Sequence, residues 1–200
     1  MSLVEIAAPA FDVDIFIAYA SVENFTGKPV YCRPGCYLHA DAAALLQRAI
    51  QLAKPHGLRL KIFDAFRPAE AQWALWAHTP DPDFLADPKR GSPHSMGAAV
   101  DLTLVDGAGV ELDMGTAFDA FTPQSSHGNT EISVTAQRNR LMLLGLMSAA
   151  GWDFYSKEWW HYQLFQPRGR YPVLGDDALA VPMISPEVRA LAAATAAKYS

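Results

Sequence analysis

The chain has little of what would tie it to a membrane, to a nucleic acid or to a disulfide-stapled class. Only Cys32 and Cys36 among its 200 residues are cysteines. A Cys-x3-Cys pair with no second Cys or His cluster beside it is a poor zinc knuckle, and the pair reads as reduced thiols rather than as part of a disulfide framework. A chain of this length needs no staple, because it can bury roughly 70% of its unfolded surface. Positive charge is scarce as well: 16 Lys and Arg stand against 21 Asp and Glu, for a net charge of −5 and a pI near 5.6. That balance excludes a nucleic-acid surface, which needs a basic face. The densest basic stretches, Lys89-Arg90 and Arg138-Asn139-Arg140, read as solvated surface charges. No apolar run approaches the ~20 residues of a membrane span. The opening Met1-Ser2-Leu3-Val4-Glu5-Ile6 has neither the basic nor the apolar region of a signal peptide. The expectation is a cytoplasmic protein. Internal repeats and low-complexity tracts are also missing, which removes solenoids and propellers.

What remains is an ordinary globular composition, 50% hydrophobic and 18% charged, of a length that suits one domain over residues 1–200. Residues 12–20 read as a strand and 24–29 as a turn. An Ala- and Leu-rich helix is predicted from about Ala40 to Pro55, stopped by Gly57. Leu58 to Phe66 alternates as a central strand. Arg67-Pro68 then marks a strand end followed by a helix start, with the helix running to about His78. Trp73 and Trp76 on that helix read as core. The Pro-rich residues 79–91 form a loop that walls whatever site lies beyond it. Residues 98–104 are a strand, turning at 105–109 into a second strand over 110–113. Residues 115–131 are irregular. Ser133 caps a helix to Ala150, stopped by Gly151. Residues 159–165 are a last strand, and Ser185-Pro186-Glu187 opens a peripheral helix to about Lys198. Helices and strands mixed without a βαβ rhythm predict an α+β fold, a small, mainly antiparallel sheet with flanking helices.

The chemistry concentrates in Ser92-Pro-His-Ser-Met-Gly-Ala-Ala-Val-Asp-Leu-Thr-Leu104, where His94 and Asp101 stand seven apart with Gly97 between them. A flexible turn leading into a strand can bring an imidazole and a carboxylate onto one cation. The same segment also reads as a core strand whose polar ends bond to backbone. Catalytic zinc usually takes three protein ligands, and Glu158-Trp159-Trp160-His161 offers the third. Residues three apart on a regular strand face opposite ways, so Glu158 belongs at a loop end and His161 on the strand. His94, Asp101 and His161 then form a zinc set with one position open to water. Glu158 is left as the carboxylate that takes the water's proton and returns one to the leaving amine. Arg67 is placed to meet the developing oxyanion. Glu-x-x-His and Arg-Pro are each common by chance, but the four pieces in this order are jointly uncommon.

These stretches carry a resemblance, together with Asn24-Phe25-Thr26-Gly27-Lys28-Pro29-Val30, Asp64-Ala65-Phe66-Arg67-Pro68, Met114-Gly115 with Phe118-Asp119, Ala136-Gln137-Arg138-Asn139-Arg140 and Glu158 to Tyr162. The chain resembles the zinc D-alanyl-D-alanine dipeptidases of the VanX type, within the D,D-peptidases that share a fold with the Hedgehog signalling domain. The likeness covers roughly residues 12–172 and leaves 173–200 as a C-terminal extension with its helix. It implies one Zn2+ per chain on His94, Asp101 and His161, Glu158 as general base and acid, and Arg67 as transition-state stabiliser. It also implies Ser92 and Asp119 as the holders of the dipeptide's free ammonium; taken alone, Asp119 reads as a loop or cap carboxylate. The partner implied is a small dipeptide. Two other readings stand beside it: a D,D-carboxypeptidase or peptidoglycan endopeptidase on longer substrates, and a non-catalytic zinc binding domain. Met96 departs from the pattern, standing where relatives commonly carry Arg. His127 shares a loop with Asp119 and has two readings, a residue lining the site and, the more common case, a solvent-facing one, and His39, His56 and His78 read as structural or surface residues.

Overall fold

The computed structural model describes residues 3–199. The first strand, β1 (Leu3–Glu5), pairs antiparallel with β3 (Tyr37–His39) in a small two-stranded sheet that local patterning does not signal. The main sheet has five strands. β2 (Val13–Ile15) is an edge, followed by β4 (Arg59–Asp64), β5 (Ala99–Val105), β7 (His161–Gln163) and the other edge, β6 (Asp153–Phe154). β2 and β4 are parallel and every other pairing is antiparallel, as the α+β expectation has it.

Four helices flank the sheets. The first, α1 (Ala40–Ala53), follows His39, whose ring accepts the Asp41 N–H. α3 (Val134–Ala150) starts at Ser133, whose hydroxyl accepts the Ala136 N–H at 3.0 Å. Both present an apolar stripe to one face of the sheet: Ala42, Leu46, Ala49, Ile50 and Ala53 from α1, and Leu143, Leu146, Met147 and Ala150 from α3. They pack with Leu60, Ile62, Leu102 and Leu104, which alternation sends to one side of β4 and β5. All seven residues of β5 are buried, which is why its sequence reads as a nearly continuous apolar run. α2 (Ala69–His78) carries the C-terminal α4 (Pro186–Lys198), and Tyr199 ends against Trp73 and Trp76.

Several predicted boundaries shrink. The strand over 12–20 ends at Ile15, and Ala18–Ala20 curl into a 3-10 turn that buries Tyr19. The second arm of the 105–113 hairpin is a single bridge, Val105 to Glu111. The 159–165 strand is only His161–Gln163, because Trp159 and Glu158 belong to a turn. β4 is an interior strand paired on both sides, as expected, and β5 is the middle of the five.

Candidate metal centre and active-site cavity

Strand register assembles the site. Asp101 on β5 lies opposite His161 on β7. A slip between Ile62 and Asp64 sets Asp64 opposite Asp101 on the other flank. One row across three strands therefore carries Asp64, Asp101 and His161, on the face away from α1 and α3. His94 arrives from a 3-10 turn, His94–Met96, closed by Gly97 at φ 64°. A Cβ on Gly97 would come within 2.6 Å of the Leu3 side chain and 2.9 Å of the His39 nitrogen, so only glycine fits there.

Three donor atoms converge. His161 Nδ1 is 3.0 Å from Asp101 Oδ1, His94 Nε2 is 3.3 Å from Asp101 Oδ2, and the two ring nitrogens are 3.1 Å apart. Donors arranged tetrahedrally at 2.0–2.2 Å from a cation lie about 3.3–3.6 Å from one another, so the set is nearly the right size. The outer nitrogens fix the tautomers. His94 Nδ1 donates to the Ala65 carbonyl at 2.7 Å, and His161 Nε2 donates to Gln163 Oε1 at 3.2 Å. Each ring thus turns a bare lone pair toward the other and toward a carboxylate, in a buried place. Such a group suits a shared cation, and among the described residues His94, Asp101 and His161 are the group that can hold a metal ion.

Charges around it are tuned by the same packing. Burial opposes the charge on Asp101, but the bonded rings of His94 and His161 outweigh it and hold that carboxyl far below the usual range. Burial likewise works against protonating His161, yet Asp101 prevails and raises it. Glu158 sits in the turn before β7, where its N–H donates to Tyr155 and its carbonyl accepts from His161 at 3.4 Å. The chain thus bends between Glu158 and His161, as a shared site requires, and the carboxylate stands 3.9 Å from His161 Nδ1. Burial pushes its pKa up to about 7, against the pull of His161. Glu158 is therefore near the metal group without belonging to it.

Arg67 is buried and fully held. Its Nε donates to Asp64 at 2.9 Å, one Nη to Gln72 at 3.1 Å, and the other lies 3.5 Å from Asp101. Its guanidinium covers the Tyr19 ring at 4.9 Å. Tyr31 donates to the other oxygen of Asp64 at 3.0 Å. Asp119 has a left-handed backbone, φ 59°, and accepts from the Tyr19 hydroxyl at 3.3 Å. Its second oxygen is buried without a partner, and burial raises its pKa well above the carboxylate range. Ser92 is buried and accepts the His94 N–H at 3.3 Å. Arg67, Ser92, His94, Asp101, Asp119, Glu158 and His161 all line one cavity of about 290 Å³.

The sequence assigns no role to Tyr19, Gln72 or Gln163, nor to Asp64 beyond its place in a matching stretch, and all four hold other side chains in position. An Asp three residues before Arg67 was the one visible signal. One basic stretch needs correcting. Lys89 and Arg90 are exposed, as expected, with Arg90 at the rim of the cavity, whereas Arg140 is buried with four bonds to carbonyl and hydroxyl oxygens and is no solvated charge. His127 is outside the cavity and not solvent-facing: its Nε2 is sealed without a partner, and the ring packs on Phe154 at 5.1 Å. Met96 is buried beside Gly91. Cys32 and Cys36 are free thiols, one exposed and one buried. No helix among the described residues is long and apolar enough to cross a membrane.

Comparison with known proteins agrees with this geometry. The chain is 43% identical over 174 residues to the D-alanyl-D-alanine dipeptidase of Escherichia coli, covering 87% of this chain and 90% of that one. The namesake protein of Enterococcus faecium is 35% identical over 170 residues, covering 73% and 83%. That of Streptomyces coelicolor is 34% identical over 167 residues, with the same coverage. The profile of one peptidase family matches residues 1–174, reaching further toward the N-terminus than the motifs suggest and stopping short of α4. With cation donors, a buried carboxylate and that match in one chain, the protein belongs to the D-Ala-D-Ala dipeptidase family of peptidases.

Proposed function

We propose that the protein is a zinc-dependent dipeptidase that hydrolyses D-alanyl-D-alanine to two molecules of D-alanine. The observation that carries the reading is the convergence of two imidazole lone pairs and the Asp101 carboxylate beside an unligated, buried Glu158. The relatives' shared name supplies the substrate. His94, Asp101 and His161 would hold one Zn2+ per chain; the mixed nitrogen and oxygen donor set suits that ion. When bound there, zinc supplies a Lewis acid that acidifies water and polarises a carbonyl.

The chain's own residues do the rest. Glu158, with a pKa near 7 in its buried place, takes a proton from the attacking water and gives one to the nitrogen of the leaving D-alanine. Arg67 is locked by Asp64, Gln72 and Tyr19, so its guanidinium meets the oxyanion without reorganising. Asp119 and Ser92 receive the substrate's ammonium. The buried, unpartnered oxygen of Asp119 supports this, since a cation there supplies the missing partner. An acylated amine or a longer peptide leaves that oxygen unpaired, which favours a dipeptidase over a carboxypeptidase. Residues 1–200 then act as one peptidase domain, with the C-terminal extension and its helix beyond the family match that ends at residue 174, and a cytoplasmic location is part of this reading.

The test is D-alanine release from D-Ala-D-Ala, abolished by chelator and restored by zinc. Equal rates on the free and N-acetylated dipeptide would remove the ammonium pocket, and restoration by no divalent ion would remove the metal mechanism.

A further inference from the structure

Besides its acidic residues, the cavity takes in two arginines from its rim, Arg90 and Arg168. The ion pairs of the described residues engage Arg59, Arg67 and Arg189, and none engages these two. Arg168 is nevertheless aimed. Its Nε donates to the Gly91 carbonyl at 3.0 Å, which leaves both terminal nitrogens without a partner among the described residues. Gly91 is itself fixed: at φ +75°, a Cβ there would come within 2.7 Å of Val173 and 3.2 Å of Met96. Arg90 directly precedes Gly91 and ends the 3-10 turn Pro88–Arg90. The two cations are close enough that Arg90 adds to burial in lowering the pKa of Arg168. Both side chains are exposed, so water screens their mutual repulsion, and what an anion at this rim gains is two unpaired guanidinium groups on one side of it. Two planar forks suit a carboxylate in particular.

We propose that Arg90 and Arg168 form the subsite for the free C-terminal carboxylate of the dipeptide, the cationic counterpart of the Asp119 position for its ammonium. The inference rests on the dipeptidase reading and adds recognition of the substrate's other end. With both charged ends read, the site discriminates by length, since a tripeptide that keeps its ammonium at Asp119 carries its carboxylate one residue further on.

The experiment compares D-Ala-D-Ala with D-Ala-D-alaninamide, which keeps the ammonium and lacks the carboxylate, on the zinc-loaded full chain. Arg90→Gln, Arg168→Gln and Arg168→Lys are assayed beside the wild type. The expected result is a ratio of kcat/KM, dipeptide over amide, that falls about 10-fold or more in each Gln variant, mainly through KM, and less in Arg168→Lys. Equilibrium binding of D-Ala-D-Ala to Glu158→Gln, with and without Arg168→Gln, should weaken by a similar factor. A ratio that stays put, or equal losses on both substrates, would overturn the carboxylate subsite. Wild-type enzyme that releases no D-alanine from D-Ala-D-Ala would instead overturn the dipeptidase reading beneath it.

Discussion

Arg67 and Arg140 are equally buried, 5% and 4% exposed, yet they serve different ends. Arg67 is surrounded by acids, Asp64 and Asp101, and opens onto the cavity. Arg140 reaches out of α3 to the carbonyls of Met114, Gln124 and Ser126 at 2.7, 2.7 and 3.1 Å and to the Thr116 hydroxyl at 3.4 Å. The charge environments separate them further. Burial works against both guanidinium charges, but Tyr19 and Asp64 outweigh it at Arg67 and raise its pKa, whereas burial prevails at Arg140 and lowers its pKa to about 10. Burial of an arginine therefore says nothing of its role until its partners are known. Carbonyl partners make a clamp on a loop; carboxylate partners beside a cavity suit the oxyanion-binding role proposed for Arg67.

Both clusters meet at the turn that carries Glu158. The Arg67 cluster faces it across the cavity. The Arg140 cluster grips it from behind, since Arg140 covers the Trp159 ring at 5.8 Å and Ser125 accepts the Trp159 N–H at 3.0 Å. The largest expected effect is at that shared point. Glu158→Gln should keep its metal and lose turnover by about 10²–10⁴-fold, while His161→Ala should lose metal and turnover together. Metal content after desalting, measured alongside D-alanine release, checks both. A Glu158→Gln variant with retained turnover would leave the two clusters with nothing to serve.

The next pair separates the clusters themselves. Arg67→Lys keeps the counter-charge to Asp64 but loses the fork, and kcat should fall by about 10²-fold or more with a smaller change in KM. Arg140→Met leaves three carbonyls short of a donor and should cost about 2–4 kcal/mol in urea unfolding, with specific activity of the folded fraction largely kept. The reverse pattern, stability lost at Arg67 and catalysis at Arg140, would invert the proposed assignment of clamp and oxyanion donor.

The same contrast shows what a sequence can reveal. His94, Asp101, Glu158 and His161 were legible because ligand chemistry restricts residue type and spacing, and because a strand with a turn at each end is readable from alternation and glycine. The helices α1, α3 and α4 were legible from their stripes, caps and stops. Arg140 was not, because backbone carbonyls are everywhere and leave no pattern for a partner search. Arg90 and Arg168 lie 78 residues apart on two irregular segments and meet only through the Gly91 carbonyl, a contact that no local rule specifies. Tyr19 was placed on a strand by its apolar neighbours. The real chain turns at Ala18 and lays that ring beneath Arg67.

His127 gives the smallest effect and the finest test of the rear clamp. Its backbone N–H donates to Ser156 at 2.9 Å, its ring packs between Phe154 and Tyr162, and its Nε2 is sealed from water. Burial, and then the charge of Arg140, lower its pKa from 6.5 to about 4, although the Glu158 backbone pulls the other way. Between those two values the unfolded chain takes up a proton that the folded one refuses, so this residue's contribution to stability rises with pH across the window. As pH falls from 6.5 to 4 the contribution is lost, and below 4 the loss stops growing. His127→Gln removes the titration, so the wild type should lose stability faster than the variant between pH 7.5 and 4.5 in matched urea titrations. Other titrating groups, the metal ligands included, affect both proteins alike and cancel in the difference. Parallel curves would mean that the imidazole accepts its proton in place, and hence that the clamp behind Glu158 is looser and wetter than the packing of Arg140 and His127 implies.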